Sequence, residues 1–248
     1  TEAWYPTEQG YDENHGGCDY GQPPSYFDPY KNKNKKTPNI PTLAPRKEGE
    51  YLTDREGDEA VAFIKANAKQ PFFLNLCHYA VHTPIQARAD LVKKYKAKQT
   101  TNQKSPAYAA MVESVDTAMG KILKALDDAG IADNTLVIFT SDNGGLMGPT
   151  NNAPLRLGKG HPYEGGIRIP QIMRWPSRVK PSVCATPVTS VDILPTIAEA
   201  AGVELPKREI DGVSLLPMMA NGKAVQRDAI YWHFPHFRGK GIPPYSIV

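Results

Sequence analysis

The run Thr135-Leu136-Val137-Ile138-Phe139-Thr140-Ser141-Asp142-Asn143-Gly144-Gly145 constrains the fold more than any other stretch of the chain. Leu136 to Phe139 is apolar without alternation and carries β-branched and aromatic side chains, the pattern of a strand buried on both faces of a parallel sheet. A central strand is expected. In open α/β sheets ligands gather beyond the carboxyl ends of the strands, so Asp142 and Asn143 stand where such a fold keeps its chemistry. Gly144 and Gly145 let the chain turn sharply there. An Asp beside an Asn offers one charged and one neutral hard oxygen, which suits Ca²⁺ or Mg²⁺ better than a soft metal. Asp-Asn-Gly is also ordinary turn chemistry, so the metal reading needs support from the rest of the chain.

Helical and strand patterns alternate around that run, as in a parallel α/β sheet. A helix is expected from about Asp54 to Ala68, with Val61, Ile64 and Ala68 on one face. Pro71 to Tyr79 is apolar enough for a second buried strand and empties into Ala80-Val81-His82-Thr83-Pro84, which puts His82 just past a strand end. Ser105 as N-cap and Pro106 at the first helical position open the clearest helix. Its expected apolar stripe is Tyr108, Met111, Val112, Val115, Met119, Ile122, Leu123 and Leu126, closed by Gly130. The long Gly148–Gly166 loop carries Lys159 between two glycines. Ile167 to Trp175 reads as a strand at whose edge or bulge Pro170 sits, and Asp192 to Ala201 as a helix stopping at Gly202. A short helix at Ser214 to Met219 and a strand at Ala229 to Phe234 complete the expectation. Residues 1–50 read as irregular, and the Lys31-to-Lys36 charge run as a solvated loop.

With 29 Lys and Arg against 26 Asp and Glu, a net charge of +3 gives no reason to expect nucleic acid or an anionic membrane as partner. No apolar run approaches the roughly 20 residues of a membrane span. Three cysteines without a CxxC pair indicate neither a disulfide framework nor a zinc knuckle, and Cys77, inside an apolar run, reads as a small core residue.

Three elements occur in order: Ala80-Val81-His82-Thr83-Pro84 after an apolar strand, Ser141-Asp142-Asn143-Gly144 after another, and Gly158-Lys159-Gly160 followed by Tyr163-Glu164-Gly165-Gly166-Ile167-Arg168-Ile169-Pro170. Together they resemble the type I sulfatases, the arylsulfatase-like branch of the alkaline phosphatase superfamily. Tyr26-Phe27-Asp28-Pro29-Tyr30, Tyr51-Leu52-Thr53-Asp54 and Asp192-Ile193-Leu194-Pro195-Thr196 extend the likeness over most of the chain. The resemblance implies an alkaline-phosphatase-like three-layer α/β/α sandwich with a mostly parallel central sheet, here incomplete. It implies a sulfuric ester hydrolase in which Asp142 and Asn143 are ligands of a divalent cation, usually Ca²⁺, with Mg²⁺ as the other hard cation. His82 would bind sulfate and assist departure of the alcohol, and Lys159 would contact sulfate and the leaving oxygen. Glu164 and Arg168 would brace the loop, while His78, His161, His233 and His236 are weaker candidates.

The departure from the family is the nucleophile. Type I sulfatases make formylglycine from the first residue of a C/S-x-P-x-R motif, and no such motif stands in this sequence: Cys184 has its Pro one position late, and Cys18 and Cys77 have none. The reading is therefore the middle and later part of a catalytic domain over 1–204, with 205–248 its end and the start of a C-terminal subdomain. As given, the chain is expected to be inactive. The resemblance implies a glycan or small-molecule sulfate ester as substrate and a periplasmic or secreted setting. A phosphatase or phosphodiesterase of the same superfamily, and a non-catalytic domain that binds sulfated glycans, are the rival readings.

Overall fold

Ser105 and Pro106 start the longest helix in the manner their chemistry predicts. The Ser105 hydroxyl accepts from the Tyr108 N–H at 3.2 Å, and the helix runs over Pro106–Asp128 before Gly130 takes a φ of +70°. Call the three helices of this region α1 (Leu52–Asn67), α2 (Ala89–Ala97) and α3 (Pro106–Asp128). The computed structural model describes residues 2–18, 21–31, 40, 42–98, 103–237 and 244–248, in two units that divide between Ile131 and Ala132. Of the Lys31-to-Lys36 run, only Lys31 lies within the described residues.

In the first unit α3 packs on α1 through small residues. A Cβ on Gly57 would lie 2.7 Å from the Ala118 Cβ, so the two backbones meet more closely than larger side chains would allow. The buried seam of α3 is Ala110, Met111, Ser114, Ala118, Ile122, Ala125 and Leu126. It is narrower than the apolar stripe expected from sequence, and Val112 is exposed. A large-residue stripe predicts burial only if the partner keeps its distance; here the closeness of α1 selects the small positions. Helix α2 was not anticipated: it has no fully buried residue, and so little periodic signal.

The irregular first 50 residues supply much of the core. Tyr26, Tyr30, Ile40 and Leu43 are buried together with Tyr51, Leu52 and Met111, and Phe27, Tyr79, Val81 and Ile85 pack around them. The first N–H of α1 is satisfied from this segment, Leu52 donating to the Tyr26 carbonyl at 2.8 Å. The Tyr30 hydroxyl donates to Glu50 at 2.8 Å, and Arg55 bridges Glu50 and Glu59.

Burial, together with nearby carboxylates, pushes the Tyr26 and Tyr30 hydroxyls far up from their ordinary value. Burial also pushes Tyr51 up, to about 12. A tyrosine whose folded pKa exceeds its unfolded one keeps its proton in the native chain while the unfolded chain has already lost it. Native stability is then fully present below the unfolded tyrosine pKa, near 10, and declines as pH rises above it. We therefore expect the denaturant midpoint of the first unit to fall steadily above about pH 10, in step with tyrosinate absorbance. A flat midpoint through that range would contradict the assignment of these hydroxyls to the core.

Pro71 to Tyr79 corrects a sequence expectation. Among the described residues it forms no strand ladder, and its side chains alternate, with Phe73, Asn75 and Cys77 exposed and Phe72, Leu74 and Leu76 partly covered. Phe72 meets Phe63 edge-on and Phe73 lies near Tyr11. Apolarity makes a segment extended, but a strand needs a hydrogen-bonding neighbour, and none of the described residues provides one. The same alternation puts Cys77 outside rather than in the core.

In the second unit β1 (Val137–Thr140) pairs antiparallel with β2 (Gln171–Arg174), Phe139 opposite Ile172. The strand expected over Ile167 to Trp175 is shorter: Ile167 instead ends a one-turn helix, and β2 begins only after Pro170, which cannot donate to a ladder. The buried parallel neighbour expected for β1 is not found: both ladders of the described residues are antiparallel, and Phe139 and Ile172 are exposed. The chain returns to β1 through a folded loop, not through the crossover helix that parallel neighbours require. After a one-turn helix α4 (Glu164–Ile167) and β2 come α5 (Ile193–Ala201), α6 (Leu216–Asn221) and the hairpin-like pair β3 (Trp232–Phe234) and β4 (Tyr245–Ile247). No helix among the described residues is long and apolar enough to cross a membrane.

Candidate functional site

The loop between β1 and β2 is built on backbone contacts that only glycine permits. Gly144 donates to the Gly166 carbonyl at 2.9 Å, Lys159 to the Gly145 carbonyl at 3.0 Å, and Gly165 to the Arg156 carbonyl at 2.9 Å. A Cβ on Gly144 would stand 1.9 Å from the Gly165 oxygen, and one on Gly158 would stand 2.4 Å from the Gly145 oxygen. Asn152 completes the knot: its amide oxygen accepts from Gly145 N–H at 3.1 Å and its amide nitrogen donates to the Gly145 carbonyl at 2.9 Å. It pairs with Gly145 as a second peptide group would. Sequence reading missed Asn152, because an Asn in a long loop carries no periodic signal.

This knot sets Lys159 beside the turn that follows Asp142 and Asn143. Asp142 is exposed, while Asn143 and Lys159 are half-buried. The Asn143 amide donates to Asp142 Oδ1 at 2.8 Å, leaving Asp142 Oδ2 and the Asn143 amide oxygen without partners among the described residues. The Lys159 ammonium likewise has no ion-pair partner among them. The Asp142 carboxylate and the Asn143 amide both offer hard oxygen, which fits an alkaline-earth cation, as two of the about six to eight oxygens that Ca²⁺ takes. No cluster of three or more His, Cys, Asp or Glu suited to a metal occurs among the described residues. Around the knot, Arg168 pairs with Glu164 at 3.1 Å across α4, Arg156 lies over the Tyr163 ring, and His161 turns Nδ1 to the Gly158 carbonyl.

His82 belongs to the first unit. The turn that carries it closes with His82 N–H donating to the Tyr79 carbonyl at 2.9 Å. Its ring Nδ1 lies 3.2 Å from the Thr83 carbonyl and 3.1 Å from the Thr83 hydroxyl, which in turn donates to Gln22 at 3.0 Å. A carbonyl can only accept, so Nδ1 carries the proton in the neutral ring and Nε2 is left without a partner among the described residues. His78, four residues earlier, is used differently: Nδ1 meets the buried Glu56 carboxyl at 2.7 Å. Burial pushes the Glu56 carboxyl up, against the opposing pull of His78. His233 bonds Ser246 across β3 and β4, and His236 meets Phe234 edge-on, in keeping with an aromatic strand end.

Comparison with known proteins bears on what this arrangement serves. A family model described as Sulfatase matches residues 1–203. A sulfatase of Formosa agariphila is 42% identical over 217 residues, covering 80% of this chain and 39% of that protein. Human N-acetylgalactosamine-6-sulfatase is 34% identical over 252 residues, covering 92% of this chain and 45% of the human one. The crystal structure of Ps i-CgsB, also solved in complex with k-i-k-neocarrahexaose, superimposes with a TM-score of 0.74 at 31% identity, over 94% of this chain and 55% of that one. The chain thus spans less than half of these two curated relatives, and with its structural neighbours it shares an α/β fold. On the match over residues 1–203 and the likeness to these relatives, the chain belongs to the sulfatase family.

Proposed function

We propose that these residues form part of a sulfuric ester hydrolase that cleaves a sulfate ester on a glycan or a small molecule. The whole protein would have the three-layer α/β/α arrangement with a mostly parallel sheet, a formylglycine nucleophile carried outside these 248 residues, and an exported location. One observation supports the reading above others: the Lys159 N–H is bonded to the Gly145 carbonyl at 3.0 Å, so that the main chain that carries the ammonium lies against the turn that carries the Asp142 and Asn143 oxygens. A tetrahedral anion needs that combination, and a merely solvated loop does not.

Sulfate ester cleavage builds negative charge on the leaving oxygen. Lys159 contributes a fixed positive charge toward that oxygen. His82, protonated, presents Nε2–H while Thr83 holds Nδ1, so it can donate a proton to the departing alcohol. Asp142 and Asn143 would hold the cation, which when bound would supply Lewis-acid stabilisation of the sulfate oxygens.

The test uses the whole protein. His82→Ala should slow hydrolysis of a poorly activated sugar sulfate at least about tenfold more than that of an activated aryl sulfate, whose alcohol leaves without a proton. Equal losses would remove the acid role. Chelation should abolish turnover, with Ca²⁺ and not Zn²⁺ restoring it. Stoichiometric zinc would instead favour a phosphatase or phosphodiesterase of the same superfamily.

A further inference from the structure

We infer that Tyr26 is the positioning residue for His82, its hydroxyl tying together the two carbonyls of the turn that carries the imidazole. The inference rests on the role proposed above for His82. Tyr26 has no exposed surface, and its hydroxyl oxygen lies 2.6 Å from the Tyr79 carbonyl and 2.9 Å from the His82 carbonyl. One proton is shared between two acceptors at the two ends of the turn. The Tyr79 carbonyl also receives the His82 N–H, so the turn is closed from inside by the backbone and from outside by the phenol.

Tyr26 is itself fixed. Its N–H donates to the Gln86 side chain at 2.9 Å, its carbonyl receives the first N–H of α1 at 2.8 Å, and its ring stacks on Tyr51. The anchor therefore passes from α1 through a rigid aromatic ring to the main chain of His82. Burial keeps the hydroxyl protonated, as a donor must be. With the main chain held by Tyr26 and Nδ1 held by Thr83, Nε2 is the ring nitrogen without a partner among the described residues. Without the phenol proton the turn loses its outer tie, and the ring exchanges between rotamers and tautomers.

The neighbouring Tyr51 serves as control. It is buried in the same cluster, but its hydroxyl donates to the Gln86 carbonyl at 2.9 Å and touches neither end of the turn. In the full 248-residue chain with nitrogen-labelled histidine, the His82 signals, assigned by their loss in His82→Ala, should show one Nδ1–H tautomer. Tyr26→Phe should broaden or average the two ring-nitrogen signals of His82, while Tyr51→Phe leaves them in place. His82 signals unmoved by Tyr26→Phe, or moved as much by Tyr51→Phe, would overturn the inference. If Tyr26→Phe does not fold, a ring-fluorinated tyrosine at position 26 keeps the hydroxyl as a stronger donor. The His82 carbonyl-carbon resonance should then shift, and an unchanged resonance would be the contrary result. These readouts need no turnover, so they separate from the sulfatase proposal. If the whole protein does hydrolyse sulfate esters, Tyr26→Phe should mimic His82→Ala in its bias against poorly activated esters and add little to it in the double variant.

Discussion

Gly166→Ala is expected to destabilise the second unit by more than about 3 kcal/mol and to release Lys159 from its turn. The added Cβ would stand 2.1 Å from the His161 carbonyl oxygen and 2.6 Å from that of Gly158. Both are backbone atoms, so no side chain can swing aside. Nor can residue 166 retreat, because its own carbonyl accepts from Gly144 at 2.9 Å and its N–H donates to Tyr163 at 2.7 Å. The strain must break one of those bonds, and each is part of the knot that aligns Gly145 with Lys159. Gly148→Ala is the control: φ there is +107°, but nothing lies within 4 Å of the added methyl. It should cost about 1 kcal/mol, the conformational penalty alone. Denaturant unfolding of the two variants distinguishes crowding from backbone strain, and similar midpoints for both would refute the close-packed loop.

Asp192→Ala should be comparably damaging, by about 3–5 kcal/mol. Asp192 is fully buried; Oδ2 accepts from Thr189 N–H at 2.9 Å, and Oδ1 accepts from Val213 N–H at 3.0 Å and from the Arg227 guanidinium. Its carbonyl receives the Thr196 hydroxyl at 2.6 Å, and that hydroxyl accepts from Leu215 N–H at 2.9 Å. One carboxylate thus joins the start of α5, the 213–215 segment and Arg227. Alanine leaves a guanidinium and two N–H groups without acceptors in a poorly solvated place. Adding Arg227→Met should recover part of the loss, since it removes the stranded charge. A loss below about 1 kcal/mol, or no recovery in the double variant, would show that solvent compensates this node.

Asp192 shows what a chain can and cannot announce. As the first residue of Asp-Ile-Leu-Pro-Thr it reads as a helix start, and it does stand immediately before α5; its side chain, however, does not cap that helix but reaches back to Thr189 N–H, closing the capping box of the 3-10 turn Ser190–Asp192. Nothing nearby says that Arg227, 35 positions later, is its ion-pair partner. Tyr26 is similar: its segment reads as irregular, and irregular it is, yet the ring is core and the hydroxyl reaches residues 79 and 82.

Local rules written into consecutive residues were enough for the presence of α1, α3 and α5 and for the Asp142-Asn143 turn, because helix-start residues and helical spacing act over a few positions. The family is likewise carried by short motifs. What needed the folded chain was every choice made by a distant neighbour: which face of α3 is buried, whether Pro71 to Tyr79 has a strand to pair with, and which direction β2 runs beside β1. Burial and ladder pairing are properties of two segments at once, so the residues of either one alone hold only half of the information.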